Sequence, residues 1–336
     1  MSRWANDPER AADALIERSL DDIELSGRIL LVNQAGAVPG WIRARGLDCA
    51  VWNRRVMGGA RATPWPVAGP FDTALVRLPK ARDEQDMTAH AALSALEPGG
   101  RLILYGGNDE GIRSAADRLE EVTGPVETLA MRGHGRVLAA RRAPDRSLKD
   151  SLASWRIGST MEIVGVTRDW VTYPGIFAAG RLDEGTALLL GAMPLLPAHA
   201  RVLDYGCGSG AISATALAAE PTLVLDVLDN DAVALEAVLE NVPRARPVLG
   251  ARVADAGSVS YAAILSNPPL HQGAAEDISL LENLLADAPS HLVPGGILQI
   301  VVQHRLPLNR AFAKHFGSFD VIAENSRYRV WRAQKK

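Results

Sequence analysis

The fold is decided by Arg201-Val-Leu-Asp-Tyr-Gly-Cys-Gly-Ser-Gly210, a strand end that runs into alternating glycines. The apolar start predicts a buried strand, and the small, apolar run 211–219 that follows predicts a helix. Glycine at every second position lets the backbone turn sharply and approach a ligand, because a Cβ there would block it. The stretch therefore predicts a ligand-binding loop where a strand of an α/β sheet passes into a helix.

Two acids sharpen this interpretation. Asp204 stands at the entry of the loop and can reach a cationic amine, and Asp229 ends the next apolar run, Leu223-Val-Leu-Asp-Val-Leu-Asp229. An acid roughly twenty residues beyond the glycines can accept hydrogen bonds from ribose hydroxyls. The loop matches neither a dinucleotide fingerprint nor a P-loop. The combination resembles the S-adenosylmethionine site of class I methyltransferases, and an ordinary glycine-rich turn is the alternative.

Composition indicates an ordinary globular enzyme. The chain has 336 residues, 47% of them hydrophobic and 22% charged, and a net charge of −3. Its length allows two domains with a core each. Two distant cysteines, Cys49 and Cys207, indicate neither a disulfide scaffold nor a metal site. Because the chain has no apolar run typical of a signal peptide or a membrane span, we expect a cytoplasmic protein.

The chain repeats one plan twice. Both halves carry a Pro-Gly-Gly turn before an apolar strand, in Glu97-Pro-Gly-Gly100 and in Val293-Pro-Gly-Gly296, and both close on a similar apolar strand. This favours a tandem duplication of one α/β domain. Together with the resemblance of the glycine loop, it implies two tandem class I methyltransferase-like (Rossmann-like) domains. Alternating strands and helices predict a mostly parallel sheet with an antiparallel terminal strand and helices on both faces. We expect domains at 1–145 and 171–336, with a linker at 146–170.

The first half lacks the chemistry of the second. Its first strand runs into Gln34-Ala-Gly-Ala-Val-Pro-Gly40, which has no acid and no alternating glycines, and a later strand ends in Arg77-Leu-Pro-Lys80. We therefore expect the first domain to be degenerate and to serve as a scaffold or to hold the substrate. Arg54, Arg55 and Arg61 lie near several tryptophans, which fits either an RNA surface or a solvated face above core tryptophans.

A reactive motif ends the fourth strand of the second half, in Ala263-Ile-Leu-Ser-Asn-Pro-Pro-Leu270. The side-chain oxygen of Asn267 and the carbonyl of Pro268 can each accept one hydrogen of an exocyclic amine and so aim its lone pair at a methyl donor. Two prolines fix φ and hold the carbonyl rigidly. This is catalysis by positioning, and it needs no strong base. A plain Asn-Pro-Pro turn is the alternative.

Ser266-Asn-Pro-Pro-Leu-His-Gln-Gly273 resembles the motif of bacterial ribosomal RNA guanine-N2 methyltransferases, which include the C-type enzymes of the small ribosomal subunit and their large-subunit relatives. Tyr173-Pro-Gly-Ile-Phe177, Leu182-Asp-Glu-Gly-Thr-Ala-Leu-Leu-Leu190 and the ending Ser326-Arg-Tyr-Arg-Val-Trp-Arg-Ala333 are similar too. The resemblance covers nearly the whole chain. It implies an inactive first domain that helps folding and holds RNA, and a second domain that binds S-adenosylmethionine.

The resemblance also implies roles for individual residues. The cofactor would be held by Asp204, Gly206, Gly208, Gly210, Asp229, Asp255 and Thr186. The base would be received by Asn267, Pro268, Pro269 and Leu270. The last position is usually aromatic, and stacking on it is worth about 1–3 kcal/mol. Leu270 has no π face, so Phe177 or Tyr173 would have to supply the platform. His271 is interpreted as forming a hydrogen bond within the turn.

These features predict an S-adenosylmethionine-dependent methyltransferase that modifies the N2 amine of a guanine in ribosomal RNA, either in free RNA or within an assembled subunit. The base would be splayed out of its helix. Two alternatives stay open: a methyltransferase acting on protein glutamine or adenine N6, and a non-enzymatic RNA- or protein-binding module with a vestigial pocket. The expected partner is ribosomal RNA or a ribosomal subunit, with no membrane, and a monomer is expected.

Overall fold

The structure is a computed structural model that describes residues 8–34, 37–57, 61–268 and 275–336. The chain divides into two compact units, Met1–Arg156 and Ile157–Lys336. Each unit is built on its own α/β sheet. The predicted α/β class with two tandem units is confirmed.

The first unit contains a six-stranded sheet in the order β2-β1-β3-β4-β6-β5. Its strands are β1 (Ile29–Val32), β2 (Cys49–Trp52), β3 (Phe71–Arg77), β4 (Leu96–Gly107), β5 (Glu127–Arg132) and β6 (Gly135–Arg141). Its helices are α1 (Pro8–Ser19), α2 (Val38–Ala44), α3 (Arg82–Ala95) and α4 (Ile112–Thr123). The strands β2, β1, β3 and β4 pair in parallel, and β6 pairs antiparallel with β4 and β5.

The second unit repeats this plan with one more strand, in the order β11-β10-β9-β12-β13-β15-β14. Its sheet comprises β9 (Arg201–Tyr205), β10 (Val224–Asp229), β11 (Arg246–Leu249), β12 (Tyr261–Ser266), β13 (Leu292–Gln303), β14 (Ser318–Glu324) and β15 (Tyr328–Gln334). Its helices are α5 (Glu184–Gly191), α6 (Ala211–Ala219), α7 (Ala232–Asn241), α8 (Ala275–His291) and α9 (Asn309–His315). Strand β15 runs antiparallel to both of its neighbours, β13 and β14.

The two sheets share an irregularity as well as a strand order. In the first sheet the pairing of β3 with β4 shifts register between Phe71 and Thr73. In the second sheet the pairing of β12 with β13 shifts at the matching place, between Tyr261 and Ala263. A register shift is a specific local feature of a ladder. Its presence at one place in both sheets supports the duplication read from the sequence.

Both faces of each sheet carry a hydrophobic core, as expected for sheets covered by helices on both sides. Successive side chains of a strand point to opposite faces. In β9, Val202 therefore belongs to one buried cluster of the second unit and Leu203 to the other. The first sheet is divided in the same way between Leu30 and Leu31 of β1. The predicted arrangement of helices on both faces is confirmed.

The prediction of a linker at 146–170 was wrong for its second part. Residues 157–172 form an antiparallel hairpin of β7 (Ile157–Ile163) and β8 (Val166–Thr172). Met161, Ile163 and Trp170 of this hairpin belong to a core cluster of the second unit. Most exposed residues of the hairpin are polar, although Ile157 and Val166 are exposed as well. The segment is therefore mostly polar in sequence even though part of each strand is buried.

Candidate functional site

The alternating glycines adopt the backbone conformation for which glycine was expected. The angle φ is +69° at Gly206, +51° at Gly208 and +95° at Gly210, all in the left-handed region. A Cβ at Gly210 would lie 2.6 Å from Cγ2 of Val238, whereas a Cβ at Gly208 would meet no atom closer than 4.0 Å. Gly210 thus allows close packing against α7, and Gly208 leaves open space beside the loop. That space fits the expected methionine part of the cofactor.

Asp229 lies directly against the glycine loop. Its Oδ2 accepts a hydrogen bond from the backbone N–H of Gly208 at 3.0 Å, and its Oδ1 accepts one from Asp231 at 2.9 Å. Asp231 in turn accepts a bond from Val233 and caps helix α7. The carboxylate is partly exposed at the carboxyl end of β10. This is the position from which it can reach ribose hydroxyls.

Asp204 is fully buried beneath the loop. Its Oδ2 accepts hydrogen bonds from the backbone N–H of Ser213 at 3.1 Å and from the Ser213 hydroxyl at 2.6 Å. Its Oδ1 is buried and has no hydrogen-bond partner among the described residues. Burial, together with the charge of Asp229, raises the pKa of Asp204 to about 7, against the opposing effect of the Ser213 bonds. Oδ1 is a buried acceptor that a ligand cation would satisfy.

Asp255, which the resemblance assigns to the cofactor, lies beyond the end of its strand. Strand β11 ends at Leu249, and Asp255 lies in a short 3₁₀ turn, Val253–Ala256. Its Oδ2 accepts hydrogen bonds from the backbone N–H groups of Ala251 and Arg252, at 2.8 and 2.9 Å. Oδ1 is then the atom left to meet an adenine amine. The proposed adenine contact remains a prediction.

The amide of Asn267 is held in one orientation. Its Nδ2 donates hydrogen bonds to Oδ2 of Asp183 at 3.1 Å and to Oγ1 of Thr186 at 2.9 Å. An ionised carboxylate only accepts hydrogen bonds, so the atom facing Asp183 must be the NH₂ group. The side-chain oxygen of Asn267 is consequently left as an acceptor for another group. Asn267 follows β12, which pairs with β9 and ends at the same sheet edge as the glycine loop.

The sequence did not identify Asp183. It is the N-cap of α5, where its Oδ2 also accepts from the backbone N–H of Thr186 at 3.1 Å. An acid three residues before a threonine at a helix start is typical of such a cap, and this signal was present in the sequence. Thr186 was expected to hold the methionine end of the cofactor. In the structure it is buried and contacts Asn267.

The rest of the Asn-Pro-Pro motif is only partly described. Pro268 is buried. Pro269, Leu270 and His271 lie outside the described residues. Before the motif, the hydroxyl of Ser266 donates to the carbonyl oxygen of Tyr205 at 2.7 Å. This bond ties the end of β12 to the start of the glycine loop.

The two aromatic residues offered as stacking platforms lie in different environments. Tyr173 is 5% exposed, and its hydroxyl donates to Oε1 of Glu240 at 2.6 Å. Phe177 is 50% exposed. Tyr173 is therefore a buried, hydrogen-bonded residue, and Phe177 is the one of the pair that can present its ring to a ligand.

The basic cluster of Arg54, Arg55 and Arg61 is only partly at the surface. Arg54 is 2% exposed, and both Arg54 and Arg55 form ion pairs with Glu84. Trp52 beside them is 3% exposed, whereas Arg61 is exposed. Arg54, Arg55 and Trp52 therefore support the interpretation of internal ion pairs beside a core tryptophan.

The two cysteines, Cys49 and Cys207, are free. Among the described residues, no group of three or more histidine, cysteine, aspartate or glutamate side chains is arranged to hold a metal ion. In the same part of the chain, no helix combines the length and the apolar character needed to span a bilayer.

The fold and the glycine-loop site together define a methyltransferase. The model of the Methyltransferase small domain matches residues 168–332, and that of the Methyltransferase small domain N-terminal matches residues 53–142. The chain belongs to the ribosomal RNA small subunit methyltransferase C family. A member from Hahella chejuensis is 31% identical over 326 residues, which cover 92% of this chain and 95% of that protein. A member from Shewanella pealeana is 33% identical over 267 residues, or 78% and 76% of the two chains.

A solved structure shares the whole architecture. It is described as the T. thermophilus 16S rRNA N2 G1207 methyltransferase in complex with AdoMet and guanosine. The alignment has a TM-score of 0.83 and covers 99% of this chain and 93% of that one. At 23% sequence identity, this likeness shows a common fold. The predicted family and the predicted pair of methyltransferase-like domains are confirmed.

Proposed function

We propose that this chain transfers a methyl group from S-adenosylmethionine to the N2 amine of a guanine in small-subunit ribosomal RNA. The observation that carries the proposal is the orientation of Asn267. Its NH₂ group is held by Asp183 and Thr186, and its oxygen remains as an acceptor beside the glycine loop. Family membership supports the same reaction, since the relatives are named as ribosomal RNA small subunit methyltransferases.

The residues around the glycine loop fit S-adenosylmethionine. Gly208 leaves room beside the backbone, Asp229 lies at the loop with a partly exposed carboxylate, and Asp204 holds a buried oxygen without a partner among the described residues. We assign the methionine part to Asp204, Gly206, Gly208 and Gly210, and the ribose to Asp229. Asp255 is assigned to the adenine. When bound, the cofactor supplies an electrophilic methyl group on a sulfonium.

Asn267 and Pro268 act by orienting the acceptor nitrogen. The lone pair of an exocyclic amine is delocalised into the ring, which makes the nitrogen a poor nucleophile. Oδ1 of Asn267 accepts one amine hydrogen and the carbonyl of Pro268 accepts the other, so that the lone pair is directed out of the base plane. Because Asp183 and Thr186 fix Asn267 beforehand, no reorganisation is needed during the reaction.

Neither acceptor is a strong base, and none is required. The amine becomes acidic only as it forms its bond to the methyl group, so its proton leaves after attack. A guanine within a helix is inaccessible to this site, and the base must be splayed out to reach it. The motif residues Pro269 and Leu270 are assigned to the receiving pocket from the sequence.

The same residues indicate different roles for the two units. We assign substrate holding to the first unit and catalysis to the second, where the glycine loop and Asn267 lie. We place the protein in the cytoplasm, where ribosomal subunits assemble, and expect it to act as a monomer.

The test uses purified protein, labelled S-adenosylmethionine and four candidate substrates. These are small subunits, large subunits, naked ribosomal RNA and release factors, all from cells that lack this enzyme. We expect label in small-subunit RNA, recovered as N2-methylguanosine by mass spectrometry. Asn267→Ala should lower kcat/KM by roughly 100-fold or more, whereas exposed Asn309→Ala should leave it unchanged. Label on glutamine or adenine, or an unaffected Asn267→Ala variant, would refute the proposal.

A further inference from the structure

One short segment, residues 176–183, lies near both the glycine loop and Asn267. At its start, Ile176 supplies the atom closest to the position of a Cβ on Gly208 in the glycine loop. At its end, Asp183 accepts the hydrogen bond from Asn267. The segment 176–183 therefore passes from the cofactor loop to the residue that orients the acceptor amine. We expect a base bound at Asn267 to lie near the Asp183 end of this segment.

The backbone of this segment is held in an unusual conformation. Ala178 has φ +61° and Ala179 has φ +46°, and the following Gly180 has φ +77°. Residues with a Cβ rarely occupy the left-handed region, and two in succession persist only where the surroundings enforce them. Here Arg181 donates its N–H to the carbonyl of Ala178 at 2.9 Å. Strain of this kind is concentrated at functional sites.

The strained turn exposes one aromatic ring. Ile176 before it is 6% exposed, and Gly180 is buried where a Cβ would lie 3.1 Å from both Ser159 and Thr172. Between these two anchors, Phe177 is 50% exposed. A half-exposed phenylalanine held by a strained backbone has a ring face available for contact. Tyr173, the other aromatic nearby, is buried and bonded to Glu240.

We infer that the ring of Phe177 is the surface on which the target guanine stacks. The inference rests on the proposed function and adds a substrate-binding residue to it. The motif that orients the amine ends in Leu270, which offers no π face. Every base has a π face, and an aromatic side chain stacks on it in a way that an aliphatic one does not. Phe177 supplies that ring from the segment 176–183, whose other end, Asp183, contacts Asn267.

The test compares Phe177→Ala, Phe177→Trp and Leu182→Ala in methylation of small-subunit RNA. Leu182 is the matched control, since it lies on the same segment and is 40% exposed. Phe177→Ala should lower kcat/KM by roughly 5- to 150-fold, which corresponds to about 1–3 kcal/mol of base stacking. Phe177→Trp should stay within roughly threefold of wild type because it keeps an aromatic face. Calorimetry should give the same cofactor affinity for all variants.

Three results would overturn the inference. The first is a Phe177→Ala variant as active as wild type, and the second is a loss that Phe177→Trp shares. The third is an equal loss in Leu182→Ala, which would assign the effect to the segment and not to the ring. If wild-type protein leaves guanine N2 unmethylated, the proposed function itself fails. That outcome is visible in the wild-type reaction alone and is therefore distinct from the other three.

Discussion

The two sheets carry different residue types at matching positions near the ends of their strands. After the shared shift, Thr73 in the first sheet occupies the place of Ala263 in the second. Four residues further along each strand, the first sheet has Arg77 and the second has Asn267. The matching strands β3 and β12 are therefore followed by different groups, a cation in the first unit and an amide in the second. The comparison shows that the same fold accommodates a different residue type at this matched position.

The neighbouring strand shows the same difference. Ile29 pairs with Thr73, and Val202 pairs with Ala263. Two residues on, the first unit has Leu31 and the second has Asp204. Leu31 belongs to the hydrophobic core, whereas Asp204 retains a buried acceptor without a partner among the described residues. A buried acid is costly unless another group meets it, and a ligand cation at the second edge would supply that partner.

At the corresponding edge of the first sheet, several side chains form hydrogen bonds with one another. Arg77 donates two hydrogen bonds to the carboxylate of Glu110, at 2.8 and 2.7 Å, and the two side chains are 11% and 6% exposed. Beside them, the hydroxyl of Tyr105 donates to Oε1 of Gln34 at 2.8 Å. These side chains therefore form hydrogen bonds with one another. At this edge the first unit has an internal ion pair where the second unit has the proposed ligand site.

The largest expected effect is on stability and follows from breaking this ion pair. Glu110→Gln removes the closest charged partner of buried Arg77, which keeps only the more exposed Asp13 at 3.4 Å, and should lower the free energy of unfolding by about 2–4 kcal/mol in urea titrations. Asp21→Asn removes the exposed pair with Arg45 (69% and 44% exposed) and should cost under about 1 kcal/mol. Methylation per folded molecule should not change in either variant. Loss of activity in folded Glu110→Gln would mean that the first edge takes part in the reaction.

The Glu110 pair also predicts a pH dependence. Burial by itself would raise the pKa of Glu110, but hydrogen bonds from Arg77 and Gly107 and the Arg77 charge outweigh it and hold the pKa below 4.5. The pair therefore contributes its full stability above pH 4.5. That contribution is lost as the pH falls through the lower folded-state pKa. The stability difference between wild type and Glu110→Gln should shrink over the same range.

A smaller effect, on kcat, is expected when Asp183, which orients Asn267, is replaced. Asp183→Ser keeps a side-chain cap for α5 but is too short to hold the amide, so kcat should fall roughly tenfold. Asp183→Asn keeps one oxygen for both contacts and should recover most of the activity. Cofactor affinity, measured by calorimetry, should be the same in all three proteins. Equal activity of Asp183→Ser and wild type would show that Asn267 needs no such support.

The smallest expected effect is on the pH dependence of cofactor binding and concerns Asp204. With its pKa raised to about 7 by burial, this carboxyl is mostly protonated at pH 6 and mostly charged at pH 7.5. If it meets the ammonium group of S-adenosylmethionine, binding should tighten roughly five- to tenfold between these two pH values. Asp204→Asn should abolish this dependence. An unchanged pH dependence in that variant would assign it to another group.

The sequence predicted the fold well because each clue was local. Glycine spacing, strand patterns and the Pro-Gly-Gly turns all depend on neighbouring residues, and the two-unit architecture followed from them. The sequence did not predict the hairpin β7–β8 because most of its exposed residues are polar and only part of each strand is buried. Strand β11 ends at Leu249, and Gly250 beyond it still donates its N–H to the carbonyl oxygen of Asp229 at 3.0 Å. A Cβ at Gly250 would lie 2.5 Å from Asp255.

The site was harder to predict than the fold. Asp204, Asp229 and Asn267 were identified from motifs, and the structure brings their strands to one sheet edge. The contact between Asn267 and Asp183 joins residues 84 positions apart, and no local pattern reveals it. Burial of Asp204 likewise depends on tertiary packing. Residue types were therefore predictable, whereas their hydrogen-bond partners were not.

The most direct test of the account is the number of S-adenosylmethionine molecules bound per chain and the residue on which binding depends. Asn53 follows Trp52 in the first sheet as Asp229 follows Leu228 in the second. Calorimetry should give one molecule per wild-type chain, at least roughly tenfold weaker binding in Asp229→Ala, and unchanged binding in folded Asn53→Ala. Two molecules per chain, or binding that depends on Asn53 and not on Asp229, would contradict the assignment of the cofactor to the second unit.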